Sequence, residues 1–375
     1  MTMKCPNPNC NETEHEPSAK FCHACGMPLK SVNAQRPIRT QTFRHFEWAE
    51  SFSEGMAMVT VNGKTGFIDK SGTMVIEPRF NQERGYGFGR DMHWGFSEGL
   101  AVVSTGQYPN RKYGCINHLG DFVIEPEYDM IWPFSEGLAP VWTGGKWGFI
   151  DKTGIMVIQP QYDSVGGFSE SLAVVELGYQ NYGYIDKFGR VVLQQSNNLF
   201  RKSKFIFASD FHDGFARVEC DGKQGFIDKS GKLFKSKHYS IEDFSEGFAA
   251  FSNSGNCGFI DNKLKTAIKL DFYNKSKSFH DGMAAVEKMF GMWGYINTTG
   301  ELVIPCQFQM AGDFSDGLAA VNLTWMGKVG FVDKQGNMVI KPRFSEVSKG
   351  FSEGLAAVVE NGKWGFIDKT GNYSF

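Results

Sequence analysis

The chain has 375 residues, with 44 glycines, 34 phenylalanines and a formal net charge of −2. Glycine is far above average usage, but it has no three-residue period and proline numbers only 13, which excludes a collagen-like chain. A hydrophobic content of 41% excludes disorder, the balanced charge gives no overall nucleic-acid footprint, and no run of 18 apolar residues offers a membrane span.

At the start of the chain, MTMKCPNPNC has no apolar h-region, so no secretory signal is read and the expected compartment is the cytoplasm. Cys5 and Cys10 form one close pair, and Cys22 and Cys25 a second, with Gly26 following the second pair. Two such pairs supply four thiolates for a tetrahedral Zn²⁺ site. About 30 residues cannot bury enough core to fold alone, so the metal would provide most of the folding free energy in a structural role. The pattern resembles bacterial zinc-ribbon modules of the form C-x-x-C … F-C-x-x-C-G-x-x-L, with four residues instead of two inside the first pair. His15 and His23 are spare candidate ligands. Residues 1–30 are read as the ribbon, polar residues 31–40 as a linker and residues 41–375 as a second domain. Cys115, Cys220, Cys257 and Cys306 are scattered singly, which suits reduced thiols.

From residue 41 the chain repeats itself. The phrase F-S-E-G, or a close variant, begins at Phe52, Phe96, Phe134, Phe168, Phe211, Phe244, Phe279, Phe314 and Phe351. A second phrase, W-G-F-I-D-K-x-G, follows each one with its first glycine at 66, 114, 148, 183, 225, 258, 294, 330 and 365. A third, V-I-x-P-x-F/Y, leads to the next unit. Each of the nine units predicts three short strands: Leu355–Val359, a hairpin at Asn361-Gly362, then Lys363–Asp368 show the first two. Asn337–Pro342 shows the third, where proline calls for an edge strand or a strand end. The aspartate closing strand two should hydrogen-bond its own turn.

A three-stranded unit cannot bury two apolar faces by itself, so neighbours must stack. The expected fold is all-β: a closed propeller-like ring of nine three-stranded blades, with an open β-solenoid of hairpins as the alternative. Ring closure is favoured by Phe46, which stands six residues before Phe52 just as Tyr162 stands before Phe168, with no unit in front of it. The runs Lys146–Lys152 and Lys363–Lys369, both K-W-G-F-I-D-K, resemble the signature of bacterial WG-repeat (KWG-repeat) proteins across residues 41–375. That resemblance implies an interaction scaffold and carries no catalytic residue. Units with Thr65, Tyr113, Tyr182, Gln224, Cys257 or Val329 in place of the tryptophan lose a large ring and should pack less tightly.

No H-E-x-x-H, G-x-S-x-G or phosphate-loop motif is present. The nine acids of F-S-E-G are read as turn residues. Two insertions interrupt the period. The first brings Arg84, Tyr86, Phe88, Arg90, His93 and Trp94, residue types common at interfaces. The second brings Arg201, Lys202 and Lys204 among aromatics. Both are candidate partner-binding segments. The expected function is non-catalytic binding of a protein or small ligand on the repeat surface. The alternatives are a nucleic-acid adaptor acting through the zinc ribbon and a hydrolase with its site in the ring channel.

Overall fold

The computed structural model describes residues 3–4, 30–31, 45–82, 94–194, 204–253, 256–271, 273–288 and 291–375. The chain divides into two units, Met1–Gln41 and Thr42–Phe375. In the first unit, strands Met3–Lys4 and Lys30–Ser31 pair antiparallel, which joins the two ends of that segment. Cys5, Cys10, Cys22 and Cys25 lie outside the described residues.

In the second unit every regular element among the described residues is a strand, so no helix is long and apolar enough to cross a membrane. Unit three shows the plan. Met130–Ile131, Leu138–Thr143, Lys146–Asp151 and Met156–Tyr162 form one antiparallel sheet in that order. The sheets are therefore mostly four-stranded, not three-stranded as the phrases predicted. The additional strand is the run leading into F-S-E-G, from two residues at Met130–Ile131 to seven at Glu346–Ser352, and it carries no repeated phrase from which it could be read. Units four and five also share one seven-stranded sheet, because Phe205 pairs with Tyr182. Phe205 occupies the place where the strand-three aromatic of other units sits, as Tyr162 does opposite Trp147.

Each phrase has a local physical cause. In S-E-G-x the second and third residues both have positive φ, 53° for Glu136 and 90° for Gly137. Ser135 and Leu138 exchange backbone hydrogen bonds across them, making a two-residue hairpin. In W-G-F the glycine is a close approach: a Cβ on Gly148 would stand 2.5 Å from the Ile158 carbonyl oxygen and 2.8 Å from the Pro160 nitrogen. The register between strands two and three shifts around that proline. Strand three thus runs past its proline as an edge strand with a bulge instead of stopping there. The Asp151 carboxylate accepts bonds from the Thr153 hydroxyl and from the backbone N–H groups of Thr153 and Ile155, the turn expected of it. Those bonds, the Thr153 hydroxyl first, hold its carboxyl below the usual range.

Strand two is buried on both faces, and the two faces serve different neighbours. Phe366 packs with unit one while Ile367 packs with unit eight. Phe149 likewise packs toward unit four and Ile150 toward unit two. Small alanines on strand one, such as Ala356 and Ala357, let adjacent sheets come close. At eight of the nine junctions the F-S-E-G phenylalanine packs against the strand-two aromatic of the preceding unit, with centroids 5.1 Å apart for Phe149 and Phe168 and 5.2 Å for Phe67 and Phe96; at the ninth, Cys115 takes the aromatic's place before Phe134.

The series also connects its last unit to its first. Phe46 exchanges two backbone hydrogen bonds with Trp364, at 2.9 and 3.1 Å. Tyr373 bridges Ile367 on the same strand. Strand three of unit nine is thus supplied in two pieces, one from each side of the repeat array. Phe52 packs on Phe366 at 5.0 Å, and Trp48 on Trp364 at 4.9 Å.

Candidate functional site

The nine acids of F-S-E-G hold neighbouring units together. Each accepts a hydrogen bond from a backbone N–H in the F-S-E-G turn of the following unit. Gly99 donates to Glu54, Gly137 to Glu98, Ser171 to Glu136 and Gly214 to Glu170. Gly247 donates to Asp213, Gly282 to Glu246, Gly317 to Asp281 and Gly354 to Asp316. Gly55 donates to Glu353, from unit one to unit nine. The lysine of the following unit often adds an ion pair to the same carboxylate, as Lys152 does to Glu98 at 3.0 Å and Lys70 to Glu353 at 2.9 Å. The turn reading of these acids holds, and the bond it makes runs between units.

Seven serines of the phrase form a second circuit: Ser135 Oγ donates to the Phe168 carbonyl at 2.6 Å, and Ser352 Oγ to Phe52 at 2.8 Å. His212 and His280 take the serine place in units five and seven. These circuits occupy the polar groups of the repeat, so a binding site must be sought where the repeat departs from itself.

Of the residues singled out by the insertions, Arg84, Tyr86, Phe88, Arg90, His93, Arg201 and Lys202 lie outside the described residues. Lys204 is exposed. Trp94 is a correction: it is 6% exposed and its ring stacks with Tyr113, 6.4 Å between centroids, so it belongs to the core and is not available to a partner. Trp94 lies two residues before Phe96, outside any strand, and its ring packs into the core cluster that units one, two and three share. The four single cysteines are free thiols. Burial pushes Cys115 up to about 12 and Cys257 up to about 11, which suits packing and not nucleophilic attack.

The largest departure lies at the junction of units five and six. In unit three Trp147 and Tyr162 stand opposite each other on strands two and three, 7% and 6% exposed. Every other unit keeps at least one bulky apolar side chain in this pair: Thr65 with Phe80, Tyr113 with Tyr128, Tyr182 with Phe205, Cys257 with Leu270, Trp293 with Phe308, Val329 with Phe344, Trp364 with Phe46. Unit five has Gln224 and Ser236, joined by a backbone bond of 2.9 Å from Ser236 N–H to the Gln224 carbonyl. Its strand three is only Leu233–Lys235.

Two adjoining cavities open where the rings are missing, of about 390 and 730 Å³, sharing Ser236, Lys237 and His238. Both volumes fall in the range of roughly 300–1,000 Å³ typical of ligand sites. The first has an apolar floor of Phe226, Phe234, Ile260 and Leu264. The rim is basic: Lys223, Lys235, Lys237 and Lys265 line the two cavities with a single acid, Glu219. Lys235 reaches Asp221 at 3.9 Å. Among the described residues, no ion pair engages Lys223, Lys237 or Lys265.

The remaining polar groups are held in place. Gln224 Oε1 accepts the Ile241 N–H at 3.0 Å, and Asn253 Oδ1 accepts the Tyr239 N–H at 2.9 Å. His238 stacks on Phe251 with centroids 3.7 Å apart, and its Nδ1 lies 3.0 Å from Asn253 Nδ2. Burial, and then the charge of Lys237, push its imidazole below the usual histidine range. It is neutral at pH 7, and its Nδ1 accepts from Asn253. Tyr239 is 87% exposed at the rim. Sequence reading passed over this site. The substitution of Gln224 was visible, but its pairing with Ser236 across two strands was not.

A comparison with curated proteins finds no match. Among solved structures, one described as the eukaryotic initiation factor aligns at a TM-score of 0.54 and 9% identity, covering 80% of this chain and 89% of that one. At that identity the likeness is one of fold alone. BamB from Moraxella catarrhalis aligns at 0.41 and 12%, covering 77% and 94%. The computationally designed Ika8 protein aligns at 0.44 and 13%, covering 73% and 94%. The repeat family described as WG containing repeat matches residues 44–64, 66–82, 113–147, 147–179, 202–223, 225–257, 293–323 and 330–364, more than half of the chain, and the chain therefore belongs to the WG-repeat family.

Proposed function

We propose that this chain is a non-catalytic binding scaffold: a closed, propeller-like ring of nine repeat units that presents one recognition groove, preceded by a structural zinc ribbon. Closure over the open solenoid is supported by the Phe46–Trp364 pairing and by the carboxylate circuit returning from Glu353 to Gly55. The observation that carries the binding reading is the loss of both bulky side chains at Gln224 and Ser236, which leaves an open groove where every other unit holds at least one bulky apolar side chain. The groove's one imidazole, His238, is stacked on Phe251 with its Nδ1 3.0 Å from Asn253 Nδ2, which fixes the orientation of the ring in the groove wall. The partner is a protein, in the cytoplasm.

The zinc assignment rests on the spacing of Cys5, Cys10, Cys22 and Cys25. Elemental analysis of wild type and Cys22→Ser tests it, and equal zinc in both ends the assignment.

The scaffold reading is tested by replacing Tyr239, at the groove rim, with a photo-crosslinking residue. The same residue replaces Ile155, 65% exposed in unit three, as the control. Expected is a polypeptide crosslinked in cells from position 239 and not from 155. Equal capture from both positions, or none from either, refutes it.

A further inference from the structure

We infer that the groove between units five and six takes an extended acidic peptide segment, with one aromatic side chain of that segment set into the place the repeat's own ring pair has vacated. The inference rests on the scaffold reading and names the ligand class for the same groove. Three observations support it.

First, the groove opens at a ring position of the repeat: Gln224 lines the larger cavity and Ser236 lines both. Strand geometry at this position accommodates Trp147 opposite Tyr162 in unit three, and here the same backbone positions carry Gln224 and Ser236. The floor remains apolar, with Phe226 and Phe234 in it. An aromatic side chain from a partner would restore ring contacts that seven of the other eight units make internally, which is the anchor-and-pocket arrangement of binding hot spots.

Second, the charges are spread along the rim. Lys223 lines the larger cavity, Lys265 the smaller, and Lys237 both. Distributed ammonium groups match carboxylates distributed along a chain. A phosphate site would instead show convergent backbone N–H groups or a bidentate arginine, and no arginine lines either cavity.

Third, the groove has no free ring pair to sandwich a base. The two phenylalanines that line it are already engaged, Phe226 with Phe244 at 4.9 Å and Phe234 edge-on with Phe215 at 6.2 Å, and His238 is stacked on Phe251. Successive stacking platforms are what a single-stranded nucleic acid requires. Tyr239 is one exposed ring, enough to flank a peptide.

The test is fluorescence anisotropy with the full-length protein and labelled heptapeptides. The probes are Glu-Asp-Glu-Phe-Glu-Asp-Glu, the same peptide with alanine for phenylalanine, and Lys-Arg-Lys-Phe-Lys-Arg-Lys. Expected is binding of the first, at least about tenfold weaker binding of the other two, and weakening as salt shortens the screening length to about 8 Å. Lys223→Glu with Lys237→Glu should weaken the acidic peptide about tenfold or more.

A second variant guards against misfolding. Gln224→Trp with Ser236→Tyr rebuilds the repeat's own ring pair, so it should abolish peptide binding while leaving the melting temperature at or above wild type. Equal binding of the acidic and basic peptides overturns the inference. So does unchanged binding by the ring-filled variant, or a thymidine oligonucleotide that binds more tightly than the acidic peptide. If crosslinking at Tyr239 captures a partner but no acidic peptide binds, the ligand class falls and the scaffold reading stands. If neither occurs, both fall.

Discussion

Phe46→Ala tests whether the array is held together across its two ends. Phe46 is 3% exposed, packs in the cluster shared by units one and nine, and exchanges two backbone bonds with Trp364. Truncating a buried phenylalanine costs about 3–5 kcal/mol. Unfolding entropy of roughly 2.1 cal/mol/K per residue, taken over residues 42–375 as one cooperative unit, is about 0.7 kcal/mol/K. The melting temperature should therefore fall by about 4–7 °C. Phe308→Ala is the matched control. Phe308 holds the same slot opposite Trp293, is 1% exposed, and lies inside a unit whose strands are continuous in sequence. Differential scanning calorimetry of both variants should give a single transition and equal shifts within about 2 °C. In a closed ring no unit is terminal, so the seam carries as much load as any other junction. An array whose ends fray would lose only local structure at Phe46 and keep its main transition. An unshifted main transition in Phe46→Ala, beside a lowered one in Phe308→Ala, refutes closure.

Three further outcomes follow from single residues. Burial pushes the Asp210 carboxyl up to about 6, against the pull of His212 and with added repulsion from Asp243, and its Oδ1 has no hydrogen-bond partner. The folded state thus holds this proton more tightly than the unfolded chain, so its stabilisation is complete below about pH 4 and is lost as pH rises through about 6. Asp210→Asn should raise the melting temperature at neutral pH and make no difference near pH 4, and a difference of the same size at both pH values contradicts the assignment. Ser171 stands at φ 73° in the place where other units have glycine. Ser171→Gly should relieve left-handed strain and stabilise by about 1 kcal/mol, read as a higher urea midpoint with unchanged slope, and a lower midpoint counts against the turn assignment. Cys306 is only partly buried whereas Cys115 is fully buried with its pKa pushed up to about 12. N-ethylmaleimide followed by peptide mapping should modify Cys306 first among the four repeat-domain thiols and Cys115 only on unfolding, and early labelling of Cys115 shows that its burial is misjudged.

Much of the repeat was legible because its phrases are local. Glu-Gly and Asn-Gly demand positive φ, the aspartate of strand two folds back on its own turn, and the alternation in W-G-F-I-D marks a strand wherever it occurs. The pairing of Phe46 with Trp364 also had a local sign, in the spacing of Phe46 ahead of Phe52. The fourth strand was not legible. Met130–Ile131 is two residues long and is a strand only because it pairs with Val141 and Trp142. Trp94 was misplaced for a related reason: composition says which residues suit an interface, but burial depends on which sheet folds over them.

The sequence by itself determined the unit, its number of copies and the turns that shape it, because each is set by backbone preferences and contacts between near neighbours. Only the tertiary structure decided what the units do to one another. The acids of F-S-E-G look like turn residues in sequence, but their carboxylates reach the next unit's N–H groups, 34 to 45 residues away along most of the chain. The groove has the same origin. Gln224 and Ser236 are unremarkable singly, and they become a cavity because strand pairing sets them face to face where every other unit places a bulky apolar side chain.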